Sequence, residues 1–344
     1  MSAPELVPVP PVPAAGPPPP PHAGPTPPAP ARPQAPQVPR GPAWHRSDRI
    51  GLAFCWALGL MFCAIAVAIV GYMCVEGIKY VRPELLVTSP SIGFDESQTG
   101  GFKDALIGTF AVSILGMAIA MPVGVGIAVW LSEFGRPFFL ARLAESTIEM
   151  IAGTPTIVLA LFGTVIFSSP ALGFLSRTSE GIVFGRSFFA ASAMLSLVAL
   201  PLVVGSVREG LQAIPRHIRE ASYAAGKTKG ATTRRILLPA VRPSVATGAM
   251  LGVGRIIGDT AIIVALLGAT LNSEPANDVP ILGFLRGTGS TLTSYVFQNA
   301  PTGERNQPEK AYAAAFVLLV MVLVLNVAVD VVHRHARKAG TWTS

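Results

Sequence analysis

Pro215-Arg-His-Ile-Arg-Glu-Ala-Ser-Tyr-Ala-Ala-Gly226 lies inside a basic stretch, 208–243, that separates two long apolar runs. Both of its ends are marked. Pro215 suits the first turn of a helix, where its missing N–H costs nothing, and Gly226 suits the left-handed residue that closes one. Starting one residue before the proline, Ile214, Ile218, Ala221 and Ala225 recur at spacings of 4, 3 and 4, which puts them on one helical face. The pattern predicts a short amphipathic helix held parallel to a membrane between two spans. Pro239 and Pro243 then limit a second short helix before the next apolar run.

Working outward, six stretches are long and apolar enough to cross a bilayer, which takes about 20 helical residues. They are 50–75, 104–131, 148–167, 187–207, 244–271 and 311–332. Charged residues make up 13% of the 344 and apolar ones 51%; an ordinary globular chain carries about 25% charged residues. A water-soluble globule so composed lacks the polar groups to cover itself. The fold class is therefore all-α integral membrane, with the transmembrane domain over 47–337. Residues 1–46 form a separate tail: the first 42 hold 18 of the 32 prolines and three charged side chains, Glu5, Arg32 and Arg40. Such a segment builds no core, so a disordered cytoplasmic arm is expected, without the features of a signal peptide.

The net charge of +7 does not imply nucleic acid, because the basic residues sit in short loops between apolar runs. With both termini cytoplasmic, seventeen Lys and Arg fall on the cytoplasmic side, eight on the other and one, Arg255, within a span. That asymmetry obeys the positive-inside rule. Cys55, Cys63 and Cys74 all lie in one apolar run and read as small hydrophobes. The five histidines have no metal-ligand spacing, and no nucleophile stands beside a base in a catalytic pattern. The middle four spans carry internal Gly and Pro, which suits close packing and kinks; the outer two read as scaffold facing membrane lipid.

Glu220-Ala221-Ser222, three residues, Gly226, nine residues, then Ile236-x-Leu238-Pro239 resembles the EAA loop of ABC importer permeases, with Ser222 where the family usually has Ala. The resemblance implies that 208–243 carries a coupling helix seated on a cytoplasmic ATPase subunit. Glu220 would then offer its carboxylate to that subunit, Ala221 and Ser222 would allow close approach, and Gly226 would make the turn. Ala221-x4-Gly226-Lys227-Thr228 also fits a relaxed nucleotide-binding loop, but no strand precedes it and the loop is too short to build the sheet that mechanism needs.

The second feature is Arg255 with Asp259, near the middle of the fifth span. A central Arg or Asp costs about 2.5–3.5 kcal/mol on insertion scales, so each demands a partner or a water-lined cavity. Spacing of i, i+4 puts them on one helix face, within reach of each other. Either the pair neutralises itself and fixes the helix, or Arg255 lines a path and attracts an anion, its planar guanidinium binding oxyanions and never losing its proton.

The surrounding Gly254-Arg255-Ile-Ile-Gly258-Asp259-Thr260-Ala261 looks like a run in the phosphate-specific ABC importer permeases, which have Glu at the Asp259 position. Pro122-Val-Gly-Val-Gly126-x4-Leu131-Ser132-Glu133-Phe134-Gly135 and Ala152-Gly153-Thr154-Pro155-Thr156-Ile157-Val158 resemble the same family. The match is most like the A-type subunit, with the C-type as sister alternative. It implies a bacterial plasma-membrane permease that imports inorganic phosphate and is not itself an enzyme. Its partners would be a C-type permease subunit, an ATPase dimer carrying ATP and Mg, and an external phosphate-binding protein docking on 76–103 and 272–310. This chain would bind no cofactor. Sulfate, molybdate or an amino acid would be alternative cargoes, and a non-transporting membrane scaffold or sensor is the alternative of another class.

Overall fold

The computed structural model describes residues 46–90, 100–176, 178–179, 182–183, 185–268, 280–303 and 305–338. The proline-rich tail lies outside the described residues up to Ala43-Trp44-His45. Two compact units divide the chain between Phe62 and Cys63. In the first, the described residues all belong to the opening turns of α1 (Arg46–Tyr80), and from Ser47 to Phe62 every side chain is exposed.

The second unit is built from helices. The end of α1 leads through α2 (Pro83–Val87) to α3 (Lys103–Val129), which finishes in a wide turn, Trp130–Phe134. Next come α4 (Phe138–Gly153), α5 (Thr156–Phe167), a two-residue hairpin pairing Thr178–Ser179 with Ile182–Val183, and α6 (Phe188–Ala213). The loop region holds α7 (Arg216–Ala224), α8 (Lys229–Thr232), a wide turn Thr233–Leu237 and α9 (Leu238–Ala240). It is followed by α10 (Arg242–Gly258), α11 (Thr260–Leu266), α12 (Pro280–Arg286), α13 (Leu292–Asn299) and α14 (Pro308–Lys338).

Helix α6 is the centre, packed by α3 on one side and α10 on another. Val203 shows why these helices carry glycine. A Cβ on Gly124 of α3 would stand 2.7 Å from Val203 Cγ1, and one on Gly248 of α10 would stand 3.2 Å from Val203 Cα. Small residues let three backbones converge on one valine, the close approach expected of membrane helices. The burial of the spans follows: 67% of the most apolar window of α6 is buried, against 11% for α14 and none for α1. The outer helices leave their apolar surface free, as the plain Leu, Val, Ile and Ala composition of those runs suggests.

Two expected spans are not single helices. The stretch 148–167 breaks at Thr154-Pro155, where α4 and α5 meet at 108°. Pro155 has no N–H to give the Ile151 carbonyl, and the residue before a proline is driven to extended backbone, as Thr154 is at φ −77°, ψ 130°. The stretch 244–271 begins two residues early, at Arg242, and breaks at Asp259; its last residues, 269–271, lie outside those described. Among the described residues, four helices are long and apolar enough to cross a membrane, and up to six spans result if α4 with α5, and the segment Lys229–Ala240 with α10, which it meets at 65°, each count as one.

Candidate functional site

The break after Gly258 shapes the charge pair. Asp259 sits at φ −85°, ψ 113°, so it does not continue α10; it caps α11 instead, its Oδ1 accepting the Ile262 N–H at 3.0 Å. The expectation that Arg255 and Asp259 share one helix face is thus corrected: the pair bridges two helices. Aspartate suits a cap because its short side chain reaches the third N–H beyond it. Its other oxygen stands 3.6 Å from Arg255 Nη2, an ion contact too long for a hydrogen bond.

The two partners differ in exposure. The Asp259 side chain is 2% exposed and that of Arg255 41%. Around Arg255 the surface is open: Leu251 and Gly258 are exposed, and a Cβ built on Gly254 or Gly258 would meet nothing within 4 Å. The carboxylate is held inside while the cation faces out. Just before the break, the Ile257 carbonyl of α10 accepts from Thr293 Oγ1 of α13 at 2.6 Å, replacing the helical N–H that the break removes.

In the loop, α7 runs between Pro215, its N-cap, and a left-handed Gly226 at φ +75°. The Gly226 N–H donates to the Tyr223 carbonyl at 2.9 Å and the Lys227 N–H to that of Ser222 at 3.2 Å, a paired closure that needs a left-handed residue between. The buried face is not the apolar one. Ile218, Ala221 and Ala225 are exposed, and only Ile214 packs against the core cluster around Val203, Val207, Leu211 and Leu237. Turned inward instead are Ser222, whose hydroxyl pairs with that of Thr232 at 2.8 Å, and Arg219, which binds Glu133 at 2.8 Å. Ser222, expected on the contact surface, is 5% exposed and braces α7 against α8. Glu220 is exposed. Ile236 and Leu238 are half-buried and Pro239 exposed, while Leu237 between them is fully buried against α6.

The family model for the binding-protein-dependent transport system inner membrane component matches residues 120–339, which hold the broken α10–α11 segment and the whole loop. The chain belongs to this family. Among its relatives, the phosphate transport system permease protein PstA 1 of Mycobacterium tuberculosis is 32% identical over 233 residues, covering 68% of this chain and 70% of the relative. The phosphate transport system permease protein PstC of Mycobacterium leprae is 30% identical over 246 residues, covering 67% and 75%. A solved bacterial ABC transporter involved in the import of the acidic polysaccharide alginate superposes with a TM-score of 0.55 at 14% identity, covering 84% of this chain and 98% of that one. The chain therefore has the all-α fold of the transmembrane subunits of ABC importers.

Sequence reasoning named Arg255 and Asp259, which the structure places in ion contact, and the limits of α7. It gave no role to Glu133, Arg219, Thr232, Leu237 or Thr293. For Arg219 a signal existed: it lies three residues before Ser222, so the two polar side chains share a face of α7.

Proposed function

We propose that this chain is a transmembrane permease subunit of an ATP-driven inorganic phosphate importer, A-type, with phosphate passing the open face of α10. The observation that carries the reading is the asymmetric pair, a half-exposed Arg255 beside a buried Asp259 at a helix break. Burial of the acid keeps Asp259 fixed by the Ile262 N–H, so the charge that a passing solute meets is the cation. The guanidinium offers N–H donors in a planar fork that matches phosphate oxygens, and the nearby carboxylate weakens its hold, so that phosphate is released as well as bound. Phosphate enters and leaves unchanged, and no bond is made.

The PstA and PstC names of the relatives support phosphate as the cargo and a second permease subunit as the partner. Glu220 and the exposed Ile218, Ala221 and Ala225 form a surface suited to a cytoplasmic ATPase subunit, which carries ATP and Mg. An external phosphate-binding protein delivers the cargo, and both termini face the cytoplasm. By alternating access, ATP closure of the ATPase dimer moves α7 and opens the path outward; hydrolysis resets it.

The test is radiolabelled phosphate uptake by a strain lacking this chain, with and without its return, competed by unlabelled sulfate and molybdate. Restored uptake that only phosphate competes for supports the reading. Competition by sulfate or molybdate reassigns the cargo, and unchanged uptake without the chain leaves it a scaffold.

A further inference from the structure

We infer that the Arg219–Glu133 pair is the link that passes movement of α7 into α3 and α6, making both residues positioning residues for transport. This rests on the ATPase-coupling role proposed above for the 208–243 loop. Glu133 lies on the wide turn that closes α3, and Arg219 lies near the middle of α7, 86 positions later. Arg219 Nη2 and Nε both donate to Glu133 Oε1, at 2.8 and 3.1 Å. The same guanidinium donates from Nη2 to the Leu211 carbonyl at 2.7 Å and from Nη1 to the Ile214 carbonyl at 2.8 Å.

Those two carbonyls stand where α6 stops, at Ala213, and a helix end leaves its last carbonyls short of partners; the Leu211 carbonyl has a long bond of 3.4 Å from the Ile214 N–H beside the one from Arg219. One side chain therefore fastens α7 to the ends of two long helices. Exposure is low on both sides, 19% for Arg219 and 8% for Glu133, so water competes weakly for these bonds. The Ser222–Thr232 hydroxyl bond joins α7 to α8 and stays within the loop. A push on the exposed face of α7 thus reaches α3 and α6 through Arg219.

The test uses the complete complex, with its ATPase and second permease subunits, compared by hydrogen exchange with and without ATP. In the wild type, ATP changes exchange over 216–224 and over 130–134 together. In Glu133→Gln, which keeps the side chain's shape without its charge, 216–224 still responds, the response at 130–134 is lost, and phosphate imported per ATP falls about tenfold. A response at 130–134 of wild-type size in that variant overturns the inference. Should Glu133→Gln not assemble, Arg219→Lys is read in the same way, because an ammonium keeps the charge without the fork that spans a carboxylate and two carbonyls. Failure of both variants to assemble makes the pair a folding element and also overturns it. A wild-type complex that imports no phosphate counts against the cargo alone, since the exchange response does not depend on the solute.

Discussion

Arg255 and Arg219 both face a carboxylate, yet they are held differently. Arg219 spends four hydrogen bonds on Glu133 and the end of α6, with both partners largely enclosed. Arg255 makes one ion contact at 3.6 Å among the described residues and keeps two-fifths of its side chain exposed. An arginine whose donors are committed is a fastener; one whose donors are free still has binding to do. What separates the two is the backbone around them. The end of α6 supplies carbonyls to Arg219, whereas the glycines beside Arg255 supply space.

Substituting the free arginine should have the largest effect on transport. Arg255→Gln is expected to lower phosphate uptake by roughly 30-fold or more, the effect of losing a charge partner worth about 2 kcal/mol or beyond. The ATPase should still co-purify with the variant. Uptake near the wild-type rate would make the exposed cation irrelevant.

Substituting the fastener should act on stability. Glu133→Ala strands the Arg219 charge in an enclosed site, at about 3–5 kcal/mol, read as a lowered Tm of the purified complex. An unchanged Tm would mean that the two pairs are not so different.

Smaller effects sharpen the contrast. Thr293→Val leaves the Ile257 carbonyl without its donor, costing about 1–3 kcal/mol; because that bond supports the break behind Arg255, uptake should fall along with thermal stability. Gly226→Ala forces a Cβ into left-handed backbone at about 1–2 kcal/mol. Its Cβ would meet nothing within 4 Å, so any larger loss of Tm would point to contacts beyond strain.

These pairs were unequally legible in the sequence. Arg255 and Asp259 stand out because charge in an apolar run is costly, and their spacing brings them near each other in either backbone. Their helix break was hidden: Gly258-Asp259-Thr260 is a good capping sequence, but an apolar window averages over it. In the same way Pro155 suggested a kink in 148–167, and only packing decides between a kink and a turn of 108°. The inward face of α7 is not marked by its apolar periodicity, since Arg219 and Ser222 turn inward and Ile218, Ala221 and Ala225 do not. Here the end of α6 offers the Leu211 and Ile214 carbonyls to Arg219, so a polar face packs inward and Ile218 is left outside. Glu133 stands in the run 122–135 that resembles the family, but nothing local names its partner, which is 86 residues away.

The most direct measurement is thiol labelling at Gly258→Cys, beside an intact Arg255, with Cys55, Cys63 and Cys74 replaced by Ala. The added side chain has room there. In the assembled transporter, a water-soluble thiol reagent should modify this cysteine in at least one nucleotide state, and phosphate presented by its binding protein should slow the reaction. A cysteine unreactive from both sides of the membrane, with and without ATP, would mean that hydrocarbon seals this face and that no anion reaches the guanidinium.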